Sequence, residues 1–141
     1  MNSLATNNYL ETTTTITNAQ WLALGGAQIT LVPTPGANKY IKVLEASIFF
    51  DFAGNNFAFT NLEIAPAGGN VQVVLPAAGA SPIDADQVWT LAPTTASITS
   101  AALVFRKIGA ANPTGGGKLK VKVRYQAVSY THLTLPTKRI V

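Results

Sequence analysis

The chain has no cysteine, a single histidine and only 11% charged residues, against a usual share of about 25%. Without cysteine there is no disulfide framework, no thiol nucleophile and no Cys-ligated zinc, and the redox compartment is left open. The one histidine, His132, lies in a C-terminal stretch that differs from everything before it. The preceding residues therefore lack the usual general base near neutral pH and both common transition-metal ligands. That argues against a cupin-type enzyme, which needs a histidine-rich metal site. Serine catalysis would need an unusual base such as lysine, and no supporting motif is present. No stretch approaches the roughly 20 apolar residues of a membrane span. The first eleven residues have neither the basic nor the apolar region of a signal peptide.

What is present is a 141-residue chain, 48% hydrophobic and rich in Ala, Thr, Asn and Gly. This composition predicts one folded domain with a largely neutral polar surface. A domain of this size can bury about 65–70% of the surface its unfolded chain exposes, so the core needs no staple. Cofactors are not expected.

Residues 128–141, VSYTHLTLPTKRIV, break the pattern and carry a basic cluster, Lys138 and Arg139. Residues 128–137 back-translate as GTC TCT TAT ACA CAT CTG ACG CTG CCG ACG, which resembles a transposon-end adapter of shotgun sequencing libraries read in frame. The segment is expected to be non-native and is set aside from fold reasoning. Without it Lys+Arg falls from 10 to 8 against six acids, and the net charge falls from +4 to +2. Residues 1–11 read as a polar, flexible arm, leaving 12–127 as the domain.

Within that domain, the threonine run 12–17 predicts an edge strand. Residues 18–24, followed by Gly25 and Gly26, predict one or two helical turns. There Asn18 caps the start, Gly25 takes the left-handed exit, and Trp21 and Leu24 plug one end of the core. A strand at 28–32 stops at Pro33-Thr34-Pro35-Gly36. Residues 40–52 form the longest apolar run, and neither parity is cleanly polar, which predicts a central strand with a bulge near 45–47. Further strands are expected at 57–64, 71–75, 88–91 and 98–107. A hairpin connection at 66–70, a loop at 76–82, a short helical turn at 82–87 and a flexible connection at 112–117 separate them. The cleanest element is 118–126. Leu119, Val121, Val123 and Tyr125 alternate with Lys118, Lys120, Lys122, Arg124 and Gln126, a period of two with one buried and one wet face. Many short strands, no internal repeat and little helix give an all-β fold. It is a single antiparallel β-sandwich, jelly-roll or immunoglobulin-like, with one or two short helical turns.

Chemical signals are sparse. The carboxylates are Glu11, Glu45, Asp51, Glu63, Asp84 and Asp86. Glu45 and Asp51 are not expected to share a face, so they form no glycosidase pair. Asp84 and Asp86 could offer oxygens to calcium, but they also suit the first turn of a helix. Gly115-Gly116-Gly117-Lys118 fails as a phosphate loop: Asn112 stands where the first glycine belongs, Leu119 follows the lysine, and a strand comes next. Phe49, Phe50, Phe52, Phe57 and Phe59 are expected in the core. The basic row Lys118, Lys120, Lys122 and Arg124 is the one candidate partner surface. No exposed aromatic residues interleave with the lysines for base stacking, so nucleic acid is not favoured. As a bare structural feature it is an exposed face whose charges block aggregation.

Two stretches together carry a resemblance: residues 29–44, ITLVPTPGANKYIKVL, and 112–125, NPTGGGKLKVKVRY. They resemble small virion-associated proteins encoded among the structural genes of tailed bacteriophages, over residues 18–126. The shared motifs are a strand, a Pro-Gly turn and a closing strand. The resemblance implies a head decoration or a tail or fibre accessory protein, made in the host cytoplasm and located in the virion. Its partners would be other virion proteins and further copies of itself, with no membrane and no catalytic residues. The competing class is a carbohydrate-binding or other ligand-binding β-sandwich module, with Trp21 and Trp89 as the candidate glycan platforms.

Overall fold

The computed structural model describes residues 9–59, 62–68, 73–74, 83–92, 98–107 and 111–129. Among them run β1 (Leu10–Ile16), α1 (Asn18–Leu22), β2 (Gln28–Val32), β3 (Lys39–Phe52), β4 (Leu62–Pro66) and β5 (Val73–Val74). The rest are β6 (Gln87–Leu91), β7 (Ile98–Thr99), β8 (Leu103–Lys107) and β9 (Gly117–Ser129). The first sheet has the order β1-β9-β3-β6, with β7 also on β3; the second has the order β2-β8-β4-β5. All pairings are antiparallel.

The expected β-sandwich is the observed fold, and the strand order decides its type. β1 pairs β9, β2 pairs β8, β3 pairs β6 and β4 pairs β5. These four pairs nest like one long folded hairpin, which is then rolled so that β9 meets β3 and β8 meets β4. That arrangement is a jelly roll.

The core lies between the sheets. Leu119, Val121 and Val123 of β9 are fully buried, as are Ile48 and Phe50 of β3 and Leu62, Ile64 and Phe105 of the second sheet. Each such side chain contributes about 1.5–3 kcal/mol of burial, so β9 cannot slip by one residue without reversing its faces. β3 explains its own ambiguous pattern. Val43 faces Tyr125 and Glu45 faces Arg124, leaving Leu44 as the extra residue of a bulge. Ile41 and Val43 point inward before it; Ala46, Ile48 and Phe50 do so after it. The bulge thus sits at 43–45, slightly before the expected position, and it switches parity mid-strand.

Several local expectations are corrected. Thr17, not Asn18, caps α1: its hydroxyl accepts from the Gln20 amide at 3.1 Å, while Gln20 Oε1 accepts from the Thr17 amide at 2.9 Å. The left-handed exit is at Gly26 (φ +80°), one residue beyond Gly25. Residues 98–107 are not one strand but two, β7 in the first sheet and β8 in the second, broken at the bends Ser100 and Ala101. Instead of a strand from 57, Phe57 bridges Ile83 and Ala58 bridges Thr114 before β4 begins at Leu62. That bridge extends the backbone at Ile83, and no helical turn forms across 83–87. Asp86 instead accepts the Phe52 amide at 2.9 Å. Of the expected strand 71–75, only Val73 and Val74 are described. The loop 76–82 lies outside the described residues, as does the stretch 130–141.

The connection at 112–117 is pinned rather than loose. Asn18 Nδ2 donates to the carbonyls of Gly115 (3.0 Å) and Gly117 (2.9 Å), and Trp21 Nε1 donates to that of Thr114 (3.0 Å). The Gly116 amide donates to Asn55 at 2.9 Å. Gly117 has φ +123°, and a Cβ there would collide with the Asp51 carbonyl. This junction sets the start of β9, and with it the placing of the basic row.

Candidate interaction surface

β9 is central in its sheet, so its outward side chains at Lys120, Lys122 and Arg124 each have a neighbour on β1 and one on β3. Lys118 lies opposite Asp51. Lys120 lies between Thr15 and Phe49, Lys122 between Thr13 and Ser47, and Arg124 between Glu11 and Glu45. The face continues onto β6, where Thr90 lies opposite Ser47 and Val88 opposite Phe49. All four basic residues named from sequence therefore do share one face, but carboxylates stand among them.

Arg124 is the most constrained of the four. Its Nη1 donates to Glu45 Oε1 at 2.7 Å. Nε lies 3.3 Å from Glu11 Oε2, close enough for an ion pair but without hydrogen-bond geometry. The guanidinium also sits 4.6 Å from the centre of the Tyr9 ring, within cation–π range. Hydrogen bonding, to Tyr9 first and then to Glu45, pushes its pKa further above the usual arginine range. Glu11 also approaches Lys122 Nζ at 3.7 Å. An open concavity of about 350 Å³ lies over this end of the face, lined by Glu11, Glu45, Ala46, Ser47, Lys122 and Arg124.

Sequence reasoning missed Tyr9, Glu11 and Glu45 as parts of this surface. Glu11 falls in the stretch whose composition predicts a flexible arm, yet Leu10 and Glu11 are paired residues of β1. The alternation of Glu11, Thr13 and Thr15 with Leu10, Thr12, Thr14 and Ile16 was the available signal. Glu45 and Asp51 do lie on one face, contrary to expectation, because both follow the bulge. Six residues of strand still separate them by about 20 Å, well beyond the roughly 5–9.5 Å of glycosidase carboxylates.

The aromatic residues divide. Phe50 and Phe57 are fully buried, and Phe52 and Phe59 pack against the core from its margin. Phe49 has the opposite parity and lies half-buried on the outer face beside Lys120, so its expected core placement is corrected. Trp21 is fully buried and offers no platform to a sugar. Trp89 is half-buried; its ring packs 5.1 Å from Phe50 and 5.8 Å from Phe59, and its Nε1 donates to Gln87 at 3.0 Å. Among the described residues no three His, Cys, Asp or Glu side chains group to hold a metal ion. No described helix is long and apolar enough to cross a membrane.

No protein-family model matches the chain, and no curated protein or solved structure is significantly similar to it.

Proposed function

We propose that this chain is a structural or accessory protein of a tailed-bacteriophage particle, a head decoration or a tail- or fibre-associated protein. It acts by docking and self-association rather than by catalysis. The observation that carries the reading is the nested jelly-roll strand order, an architecture shared by viral capsid and lectin domains. Because one fold hosts many functions, support must also come from the surface. The outer face of the first sheet presents Lys118, Lys120 and Lys122 to solvent, while Glu11 and Glu45 offset the charge of Arg124. A face of mixed sign suits a protein partner better than a nucleic-acid backbone.

The test is cosedimentation of the purified protein with phage heads and with tails on a density gradient. Binding to either one, weakened by Lys120→Glu, is the expected result. Failure to bind both, with glycan-array binding that is lost on Trp89→Ala, would replace this reading with the carbohydrate-binding module.

A further inference from the structure

β1 is held to the rest of the fold very differently at its two ends. Of its residues only the last, Ile16, is buried, and Leu10 at the other end is 50% exposed. Among the described residues its ladder is to β9 alone. From Ile16 the chain passes straight through Thr17 into α1, whose Trp21 is fully buried and bonded to Thr114. That end is anchored by packing.

The other end is anchored by charge. Glu11 reaches Arg124 at 3.3 Å and Lys122 at 3.7 Å, and Tyr9 lies against the Arg124 guanidinium. Thr12 Oγ1 adds one bond to the Leu31 carbonyl at 3.2 Å. Arg124 does not depend on β1 for its position, because Glu45 holds it at 2.7 Å from β3. That bond runs between β9 and β3 and involves no residue of β1.

We infer that Tyr9, Glu11 and Arg124 form an electrostatic clasp on a hinged edge strand. When the clasp is broken, β1 peels from its Leu10 end, pivots near Thr17 and uncovers the outer edge of β9 opposite it, from Tyr125 toward Val121. Such local opening needs no global unfolding, since segments with few buried apolar contacts open independently of the core. The clasp residues are partly exposed, so salt screens them: the Debye length shrinks from about 30 Å at 0.01 M to about 3 Å at 1 M. An uncovered strand edge presents unpaired backbone N–H and C=O groups.

The test is residue-resolved amide hydrogen exchange on the full chain at about 0.01 M and about 1 M NaCl. High salt should speed exchange of the β9-bonded amides in the first half of β1 roughly fivefold. The amides of Trp21 and of Phe105, buried in the second sheet, should not change. Glu11→Gln should exchange fast at both salt concentrations, and Lys118→Gln, outside the clasp, should behave as wild type. Salt-independent exchange in the wild type, wild-type protection in Glu11→Gln, or β1 amides that exchange only together with Phe105 would each overturn the clasp.

Discussion

The indole of Trp21 donates to the carbonyl oxygen of Thr114 at 3.0 Å, across 93 residues of chain. The helix that closes the core and the loop that launches β9 are thereby one unit. The same ring meets Phe50, Phe57 and Phe59 edge-on, with centroids 6.5, 5.5 and 5.5 Å away, a favoured geometry for aromatic pairs.

Trp21→Phe keeps most of that packing and loses the bond, so it should cost about 1–3 kcal/mol. Trp21→Ala empties the site and should cost about 3–5 kcal/mol. Urea denaturation followed by circular dichroism separates the two. Equal losses would mean that the bond, not the ring, holds the loop.

Gly117 and Gly36 both have positive φ, +123° and +104°, but a Cβ on Gly36 meets nothing within 4 Å. Gly36→Ala should therefore cost only the backbone strain, about 1 kcal/mol. Gly117→Ala must also displace the Asp51 backbone and should cost about 3 kcal/mol or more. Thermal melts of the two variants check the ordering.

Val121 is fully buried and Lys120, its neighbour, points to solvent. Val121→Asp buries a carboxylate without a partner and should abolish folding at ambient temperature. Lys120→Asp should change stability by less than about 1 kcal/mol, since its cross-strand neighbours are Thr15 and Phe49 rather than acids. Soluble yield and melting temperature distinguish them.

Glu63 pairs with Arg106 at 2.8 Å on the second sheet; its side chain is 4% exposed, that of Arg106 24%. Glu63→Leu alone strands the arginine charge and should cost about 2–4 kcal/mol. Adding Arg106→Leu should restore most of the loss, because removing both charges also removes their desolvation cost. A double-mutant cycle by chemical denaturation measures the coupling; simple additivity would show that the pair contributes nothing as a pair.

Much of this molecule is legible in its sequence. The strict alternation of Leu119, Val121 and Val123 with Lys118, Lys120 and Lys122 determined which face of β9 is wet, because a strand's side-chain period is two whatever surrounds it. Trp21 and Leu24 read correctly as core for a similarly local reason: three-residue spacing on a helical turn. The β-sandwich followed from many short strands punctuated by Gly and Pro.

Three features were decided only by the tertiary fold. The mixed parity of residues 40–52 predicts a bulge, but its place at Leu44, where it reverses the parity of β3, is set by the register with β9, whose residues lie some eighty positions away. That reversal is what puts Glu45 beside Arg124. The break at Ser100 and Ala101 sends one β-prone stretch into two sheets, and propensity alone cannot see a crossing between layers. Finally, the basic row acquires its acidic partners from β1 and β3, at opposite ends of no local motif. Charge along one strand is written in its own residues; whether that charge is offset depends on which strands lie beside it, and that is set by long-range pairing.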